Sequence, residues 1–274
     1  MRGLGCGLAA AGMLLAGSGL PVAAEQDRVQ IDALYSVELN RFEIGSFTFR
    51  SDLSTKTYAL ESNAEFSIAG LLGWKGQTRT QGALSGNSTS PALYQFDFES
   101  TIKSGSVAMN FKDRTVTGLT VLPAEQPLPG TVPLLEQHIK DVSDPLSAIL
   151  SLVRAKGPNP CDRKVSIFDG KQRFDLVLYY RKKVLIEESQ PSGQPVEGIV
   201  CKIKYVPIAG FRETQELRDL ARNNNILITF RPVPSAGLMV PHAVKIPTAA
   251  GEAVISANKV TIKGPNQMQI ALTN

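Results

Sequence analysis

Apolar and polar side chains alternate along much of the first half of the chain. In the segment 29–39 the apolar residues share one parity and mostly polar residues fill the other, and the segments 58–68, 94–98 and 107–111 follow the same rule. Alternation with a period of two places one face of a strand on a core and the other in water. The pattern therefore predicts a series of half-buried antiparallel strands.

Turn residues separate these segments. An Asp169-Gly170 pair stands between VSIF and RFDLVLYY and is the strongest hairpin signal in the chain. Between Ile44 and Phe47 the apolar parity slips by one residue, and Gly45 at the slip predicts a β-bulge that bends its strand. These signals together predict hairpin-connected strands in a curved sheet.

One segment has a helical period instead. In SDPLSAILSLVRAKGP, apolar residues recur at i, i+3, i+4 and i+7 from Leu146. Asp144 stands at the N-cap position before Pro145, which suits the first helical position, and a Gly-Pro pair ends the pattern. The segment 144–156 is predicted to be a short amphipathic helix whose apolar stripe faces the concave side of the sheet. A weaker stripe predicts a second helix within 212–223.

The order of these elements predicts the fold class. Strands precede and follow the helical segment, which a single sheet explains better than two separate domains. We predict a mostly β fold, in which a strongly curved antiparallel sheet, a half-barrel or β-spiral, is wrapped around one or two short helices. The proline-rich segment 123–133 is the only candidate boundary, so residues 25–274 are interpreted as one β-domain.

The first residues have the features of a secretory signal. Arg2 precedes an apolar stretch, and small residues occupy the positions before Glu25 that a signal peptidase recognises. We expect residues 1–24 to be cleaved and the mature protein to lie in the periplasm; an N-terminal membrane anchor is the alternative. Loss of Arg2 lowers the formal net charge of +4 to about +3. Basic and aromatic residues do not interleave as a nucleic-acid surface requires.

Two of the three cysteines lie beyond the predicted cleavage site. Cys201 shares parity with Ile203, and Cys161, if its segment is extended, shares parity with the apolar residues after it. Both thiols would then face one interior, and in an oxidising compartment this predicts a disulfide between them. Two free buried thiols are an alternative. A zinc site or a catalytic pair with His138 or His242 is another, although no ligand pair has a local metal-binding spacing.

A search for catalytic motifs finds none. The chain has no G-x-S-x-G elbow, no P-loop and no HExxH segment. A set of Ser143, His138 and a nearby aspartate can be drawn, but neighbours on one segment rarely form a triad. We therefore predict no catalytic residues, no cofactor and no metal, and we expect that the protein is not an enzyme. A secreted hydrolase that uses His138 or His242 is a less favoured alternative.

The segment IAGLLGWKG contains the only tryptophan of the chain, Trp74, with two leucines and three glycines just after a predicted strand. It is either a glycine-rich hairpin turn that packs Trp74 on the core or an apolar flap at the mouth of the curved sheet. The residues expected to line an apolar ligand are Leu71, Leu72, Trp74, Leu146, Ile149 and Leu150.

Several motifs follow one another in a recognisable order. They are LLGWKGQTRTQG, Asp144-Pro145-Leu146-Ser147, the hairpin with Asp169-Gly170, Cys201 in CKIKYVPIAGF, and Pro241 in the late PVPSAGLMVPHAVKIP segment. This order resembles a proteobacterial periplasmic family catalogued as domain of unknown function 3108, which has no established catalytic residues to carry over. The broader likeness is to LolA- and LolB-type half-barrels and to disulfide-stapled β-spiral envelope proteins. It implies an envelope role and the binding of acyl chains or apolar peptide segments.

The leading hypothesis is a non-enzymatic periplasmic envelope protein. It would bind an apolar ligand, such as a lipid or lipoprotein acyl chain or an apolar peptide, or an envelope partner, on a concave sheet. The alternative is a protein–protein interaction or scaffold protein whose helix permanently plugs the sheet. An outer-membrane barrel is less favoured because of the capped helix and the two cysteines. We expect no nucleic-acid partner and at most peripheral contact with a membrane.

Overall fold

The structure is a computed structural model, and it describes residues 28–68, 72–124, 126–154, 159–187, 195–265 and 268–273. The predicted signal segment 1–24 lies outside these ranges. Cleavage of that segment, and the interpretation of residues 25–274 as one domain, stay predictions.

Most of the described chain is β-structure. The strands are β1 (Val29–Leu39), β2 (Phe42–Leu53), β3 (Thr57–Ile68), β4 (Leu72–Ser85), β5 (Ser88–Ser100), β6 (Ser104–Lys112), β7 (Thr115–Leu122), β8 (Arg163–Phe168), β9 (Arg173–Ile186), β10 (Val196–Ala209), β11 (Ile226–Val233), β12 (Leu238–Thr248), β13 (Gly251–Lys263) and β14 (Gln269–Thr273). The helices are α1 (Pro145–Val153) and α2 (Gln215–Arg222), with short 3-10 turns at Glu136–Ile139 and Pro234–Ala236. The prediction of a mostly β fold with one or two short helices is confirmed.

The described strands form one antiparallel sheet in the order β7-β6-β5-β4-β3-β2-β1-β13-β12-β11-β10-β9-β8. Strands that are neighbours in the chain pair with each other, apart from β7 and β8. In addition β1 pairs with β13 and so joins the first seven strands to the later ones. β14 pairs with the second half of β13, where β12 has ended. Within the described residues β7 and β8 do not pair with each other, so the curved sheet is not closed into a barrel by strand pairing.

The segment before α1 bridges the gap between these two edges. The Val142 N–H donates to the Arg114 carbonyl, just before β7, with an N···O distance of 2.9 Å. The next residue, Ser143, forms a parallel bridge to Ile167 of β8. Because α1 starts at Pro145, this bridge directs the helix onto the inner face of the sheet, where it contacts β4, β5, β8 and β12.

Three buried clusters fill the inner face. The first packs Leu146, Leu150 and Val153 of α1 against strands from both halves of the sheet. The second surrounds Cys161 and Cys201 beside β9, β10 and β11. The third lies between β5, β6, β7 and the end of β8, where the two edges approach each other. The helix therefore occupies the centre of the curl and is part of the core.

Local features follow the sequence closely. Helix α1 occupies the predicted segment with Asp144 as its N-cap, and α2 lies within the predicted 212–223. The pairing of β1 with β2 shifts register between Gly45 and Glu43, which confirms the predicted bulge.

The Asp169-Gly170 hairpin is also present, with a longer loop than the two-residue turn that such a pair favours. The flanking strands close with Phe168 opposite Arg173. The Asp169 carboxylate accepts the Gln172 N–H at 2.6 Å, which stabilises the wider loop.

Candidate binding site

Four aromatic side chains form a row on the inner face of β3, β4 and β5. The ring centroids of Phe66 and Trp74 are 5.4 Å apart, those of Trp74 and Phe96 are 6.2 Å apart, and those of Phe96 and Phe98 are 5.7 Å apart. These separations are typical of favourable aromatic pairs. We call these four side chains the aromatic row.

Glycines allow the rings to lie against the backbone. A Cβ atom added to Gly45 or to Gly105 would lie 2.7 Å from the nearest ring atom, closer than such atoms approach in proteins. Only glycine leaves room for such a close approach of a ring to a strand. The ring-over-glycine pairs are Phe66 with Gly45, Trp74 with Gly76, and Phe98 with Gly105.

The aromatic row lies beside the packed core and is partly open to solvent. All four rings are half-buried, and of these only Phe96 borders a buried cluster, the third. The contacts of α1 with the strands are at the other end, where Tyr58 of β3 and Thr80 of β4 meet the helix. The row is therefore an accessible apolar surface on the inner face, next to the part that α1 covers.

The predicted lining residues fall in different places. Trp74 is a member of the aromatic row. Leu146 and Leu150 are buried in the first cluster, with 7% and 0% exposure, and that cluster does not include Trp74. Ile149 is 39% exposed. Leu71 and the side chain of Leu72 lie outside the described residues.

A buried polar cluster holds α1 on the sheet. The Asp144 carboxylate accepts hydrogen bonds from the Ser147 N–H (3.0 Å), the Ser147 hydroxyl (2.5 Å) and the Thr80 hydroxyl (3.0 Å). The Tyr58 hydroxyl lies 2.6 Å from that of Ser147, and the Thr89 hydroxyl donates to the Ser147 carbonyl. All five side chains are buried. We call this cluster the polar anchor, because it ties the first turn of α1 to β3, β4 and β5.

The polar anchor has perturbed titration behaviour. Burial raises the pKa of Asp144 and outweighs the lowering effect of its hydrogen bonds from Ser147 and Thr80. Burial also raises the pKa of Tyr58. The Ser147 hydroxyl has 0% exposure and is bonded to Asp144 and Tyr58, so the arrangement positions a helix and presents no solvent-accessible nucleophile.

The predicted disulfide between Cys161 and Cys201 is present, with a Cα–Cα distance of 5.6 Å. Both cysteines are buried in the second cluster. The bond joins the segment after α1 to β10 and stabilises the edge of the sheet that β8 forms.

The two histidines occupy separate environments. The Nδ1 atom of His138 accepts the Leu135 N–H at 3.1 Å, which caps a 3-10 turn. Burial and the positive charge of Arg231 lower the pKa of His242. In the part of the chain that the structure describes, no three His, Cys, Asp or Glu side chains are placed to hold a metal ion. Among the same residues, no helix combines the length and apolar character needed to cross a membrane.

Open grooves lie on the opposite, polar face of the sheet. One of about 830 Å³ extends from β2 to the end of β7, and its lining includes Glu65, Lys75 and Asp97. Another of about 480 Å³ crosses β13, β1, β2 and β3, with Asp32 and Arg50 among its lining residues. Their charged walls suit polar partners better than apolar ligands.

Sequence reasoning identified Trp74 but missed the three phenylalanines of the aromatic row. The available signal was the shared parity of Phe66 with the apolar residues of its strand and of Phe96 with Phe98. The parity pattern does not give the pairing register of the strands. That register places Phe66 directly opposite Trp74, and Phe98 directly opposite Gly105.

Comparisons with known proteins support the architecture. No family model and no curated protein matches the chain, so the resemblance to domain of unknown function 3108 is not confirmed. The chain is similar to a solved structure, with a TM-score of 0.54 and 11% sequence identity. That structure is the β-barrel-like protein of domain of unknown function DUF1849 from Brucella abortus. The match covers 86% of this chain and 98% of that chain. The fold is barrel-like. At this identity the likeness shows the fold alone.

Proposed function

We propose that this protein is a non-enzymatic, exported binding protein that holds an apolar ligand against the aromatic row. The ligand class is an acyl chain or an apolar peptide segment. The observation that carries the proposal is a row of four half-buried rings on one face of neighbouring strands, outside the clusters that fill the core. Exposed apolar surface of this kind in a folded protein commonly marks a binding site.

Burial would drive this binding. Each CH₂ group of an acyl chain that leaves water contributes about 0.8 kcal/mol. A segment of about six such groups along the row would contribute roughly 5 kcal/mol before the entropic cost of association is subtracted. Three of the rings pack directly against the backbone of a glycine. The row therefore stays close to the sheet and forms a surface along which an extended chain can lie.

In this proposal the ligand binds beside α1 and does not replace it. Leu150 of the helix has 0% exposure, and the polar anchor fixes the first turn through Asp144 and Ser147. Displacing the helix would expose Leu150 and break buried hydrogen bonds, each of which is costly to leave unmade. The helix therefore acts as a permanent part of the core, and the open part of the inner face receives the ligand.

Export to the periplasm belongs to the same proposal. The features of residues 1–24 and the Cys161–Cys201 disulfide both support an oxidising compartment. The polar anchor supports a binding role rather than catalysis, because its serine is sealed from solvent.

The single tryptophan gives a direct test. Trp74 is the only tryptophan in the chain and belongs to the aromatic row, so its fluorescence reports on this surface alone. Titration with palmitate below its critical micelle concentration should change the emission saturably. Phe66→Ala and Phe98→Ala should each weaken binding roughly tenfold through loss of aromatic contact. Phe42→Ala is the matched control, since Phe42 is 76% exposed and outside the row.

Two results together would contradict the proposal. The emission of Trp74 would stay unchanged across the palmitate titration, and a native mass spectrum of the gently purified protein would show only the polypeptide. Together they would exclude an apolar ligand at the aromatic row.

A second candidate function is favoured by the grooves on the polar face. In that case α1 is still a permanent plug, and the protein is an interaction or scaffold protein that binds an envelope partner through the charged walls of these grooves. Charge reversal of Asp97 in the larger groove, with Glu38 as a control outside it, should abolish capture of a cross-linked partner while palmitate binding is unchanged. Equal capture by both variants would exclude the groove.

A further inference from the structure

Cations on the outer face of the first strands are matched by carboxylates. Four cross-strand ion pairs cover this part of the sheet, and each joins a basic side chain to an acidic one on the next strand. They are Arg28–Asp52 (3.3 Å), Arg50–Asp32 (2.7 Å), Arg79–Glu61 (3.2 Å) and Lys75–Glu65 (2.6 Å). This half of the outer face is therefore close to neutral.

The outer face of β8 to β12 is different, because it carries a band of lysines. Lys202 and Lys204 alternate along β10 with Cys201 and Ile203, which face the buried second cluster, so both lysines point outward. The register extends this band across the neighbouring strands. Lys202 lies opposite Tyr179 on one side and Leu227 on the other, Leu227 lies opposite Lys245, and Val177 lies between Lys164 and Lys204. We call Lys164, Lys202, Lys204, Lys245 and Tyr179 the basic face.

The basic face has few counter-charges. In the ranges that the structure describes, no carboxylate lies within ion-pair distance of Lys202 or Lys204. Lys164 is 3.7 Å from Asp175, which is already bonded to Arg173 at 2.7 Å. The remaining lysine of the basic face, at position 245, has an acidic neighbour only at the 4.0 Å limit. The positive charge of this face is therefore left for an external anion.

An exposed aromatic side chain lies among these lysines. Tyr179 is 46% exposed on the middle of the face and is paired with Lys202. Tyrosine is enriched where proteins meet the membrane–water interface, because its ring is apolar and its hydroxyl is polar. Long lysine side chains likewise keep their stems on an apolar surface and extend their charge to headgroups.

We propose that the basic face docks this protein on a bilayer surface through anionic lipid headgroups. The lysines are spread over three alternate strands, β8, β10 and β12, and those on neighbouring members of this set, such as Lys202 and Lys245, are about 10 Å apart. They offer separate point charges without the fixed fork geometry with which arginine recognises individual carboxylates. A fluid layer of phosphate groups fits such a surface better than one folded acidic protein does. The inference does not depend on the aromatic row, which lies on the inner face of the other half of the sheet.

Vesicle co-sedimentation of the mature protein tests the proposal. The probes are vesicles of phosphatidylcholine alone and of phosphatidylcholine mixed with phosphatidylglycerol. We expect binding to the mixed vesicles only, and its loss at high salt because exposed charges are screened. Lys202→Gln combined with Lys204→Gln should weaken binding about 25-fold, since each lysine near an anionic surface contributes about fivefold.

A matched control distinguishes an effect of where the two lysines lie from an effect of the total charge of the protein. Lys56→Gln combined with Lys112→Gln removes the same two charges from exposed positions in the first half of the chain, and should bind like the unmodified protein. Circular dichroism would confirm that both double variants fold. Equal weakening of both, equal binding to neutral vesicles, or no binding to mixed vesicles would each overturn the proposal, and the last result would direct attention to acidic protein partners. The Lys202→Gln and Lys204→Gln double variant should bind palmitate like the unmodified protein, so failure here is distinguishable from failure of the proposed ligand site.

Discussion

The Ser147 hydroxyl donates a 2.5 Å hydrogen bond to the Asp144 carboxylate, and both side chains have 0% exposure. Since the Ser147 proton is directed to Asp144, the Tyr58 hydroxyl donates to the Ser147 oxygen in turn. The residues that cap α1, Asp144 and Ser147, are thereby hydrogen-bonded to Tyr58 of β3. The position of the helix inside the sheet depends on this contact as well as on apolar packing.

Removal of the Asp144 carboxylate should destabilise the protein more than removal of an ordinary helix cap. Asp144→Ala leaves the Ser147 N–H and the Thr80 hydroxyl without this buried acceptor, so we expect a loss of about 2–4 kcal/mol in the free energy of unfolding. The control is Thr214→Ala, which removes the N-cap of the exposed helix α2 and should cost about 1 kcal/mol. Urea unfolding of both variants measures the difference. Equal losses would show that the polar anchor contributes no more than a cap.

The raised pKa of Asp144 predicts a pH dependence of stability. Burial raises the pKa in the folded state above the unfolded value of about 4, so the folded protein binds more protons in the window just above pH 4. Stability from this group is therefore present at low pH and is lost as the pH rises through the folded-state pKa. Asp144→Asn removes this titration.

The measurement is the difference in the free energy of unfolding between the unmodified protein and Asp144→Asn from pH 4 upward. We expect the unmodified protein to lose stability relative to the variant as the pH rises. Parallel curves would mean that Asp144 titrates alike in the folded and unfolded states.

Local pattern was sufficient to predict a series of half-buried strands, the N-cap at Asp144 and the disulfide between Cys161 and Cys201. Each depends on side-chain parity or on a short motif, which neighbouring residues specify. The pairing of β1 with β13 could not be predicted in this way, because Tyr35 meets Ala257 across most of the chain length and no local signal encodes that register.

The aromatic row and the basic face were missed for the same reason. Phe66 and Trp74 become neighbours only through the register of β3 with β4, and Lys202 meets Tyr179 only through that of β10 with β9. Whether a lysine is paired depends on the residue opposite it, and Lys75 and Lys202 look alike in the sequence. Cross-strand register therefore separates the predicted part of the candidate site from the unpredicted part.

Loss of the disulfide should reduce stability substantially without removing the apolar core. The bond closes a loop with a sequence separation of 40 residues, for which the chain-entropy model gives roughly 4 kcal/mol. Cys161→Ser combined with Cys201→Ser should lower the free energy of unfolding by about that amount. Alkylation of the unmodified mature protein, unfolded in denaturant without reductant, should label neither cysteine. Labelling of both would show that the thiols are free in solution.

The contact between Gly76 and Trp74 predicts a local effect of a single methyl group. A Cβ atom at Gly76 would overlap the indole ring, so Gly76→Ala should displace the ring and cost about 1–3 kcal/mol in the free energy of unfolding. The displaced ring should be more exposed, and the fluorescence of this only tryptophan should shift to longer wavelength. Gly73→Ala is the matched control on the same strand, because its added Cβ would meet only Thr101 at 3.8 Å, an ordinary van der Waals contact. If palmitate binding is weakened by Gly76→Ala and unchanged by Gly73→Ala, the position of the ring against the strand matters for the site. Identical emission and affinity in the two variants would show that the indole does not rest on Gly76 in solution.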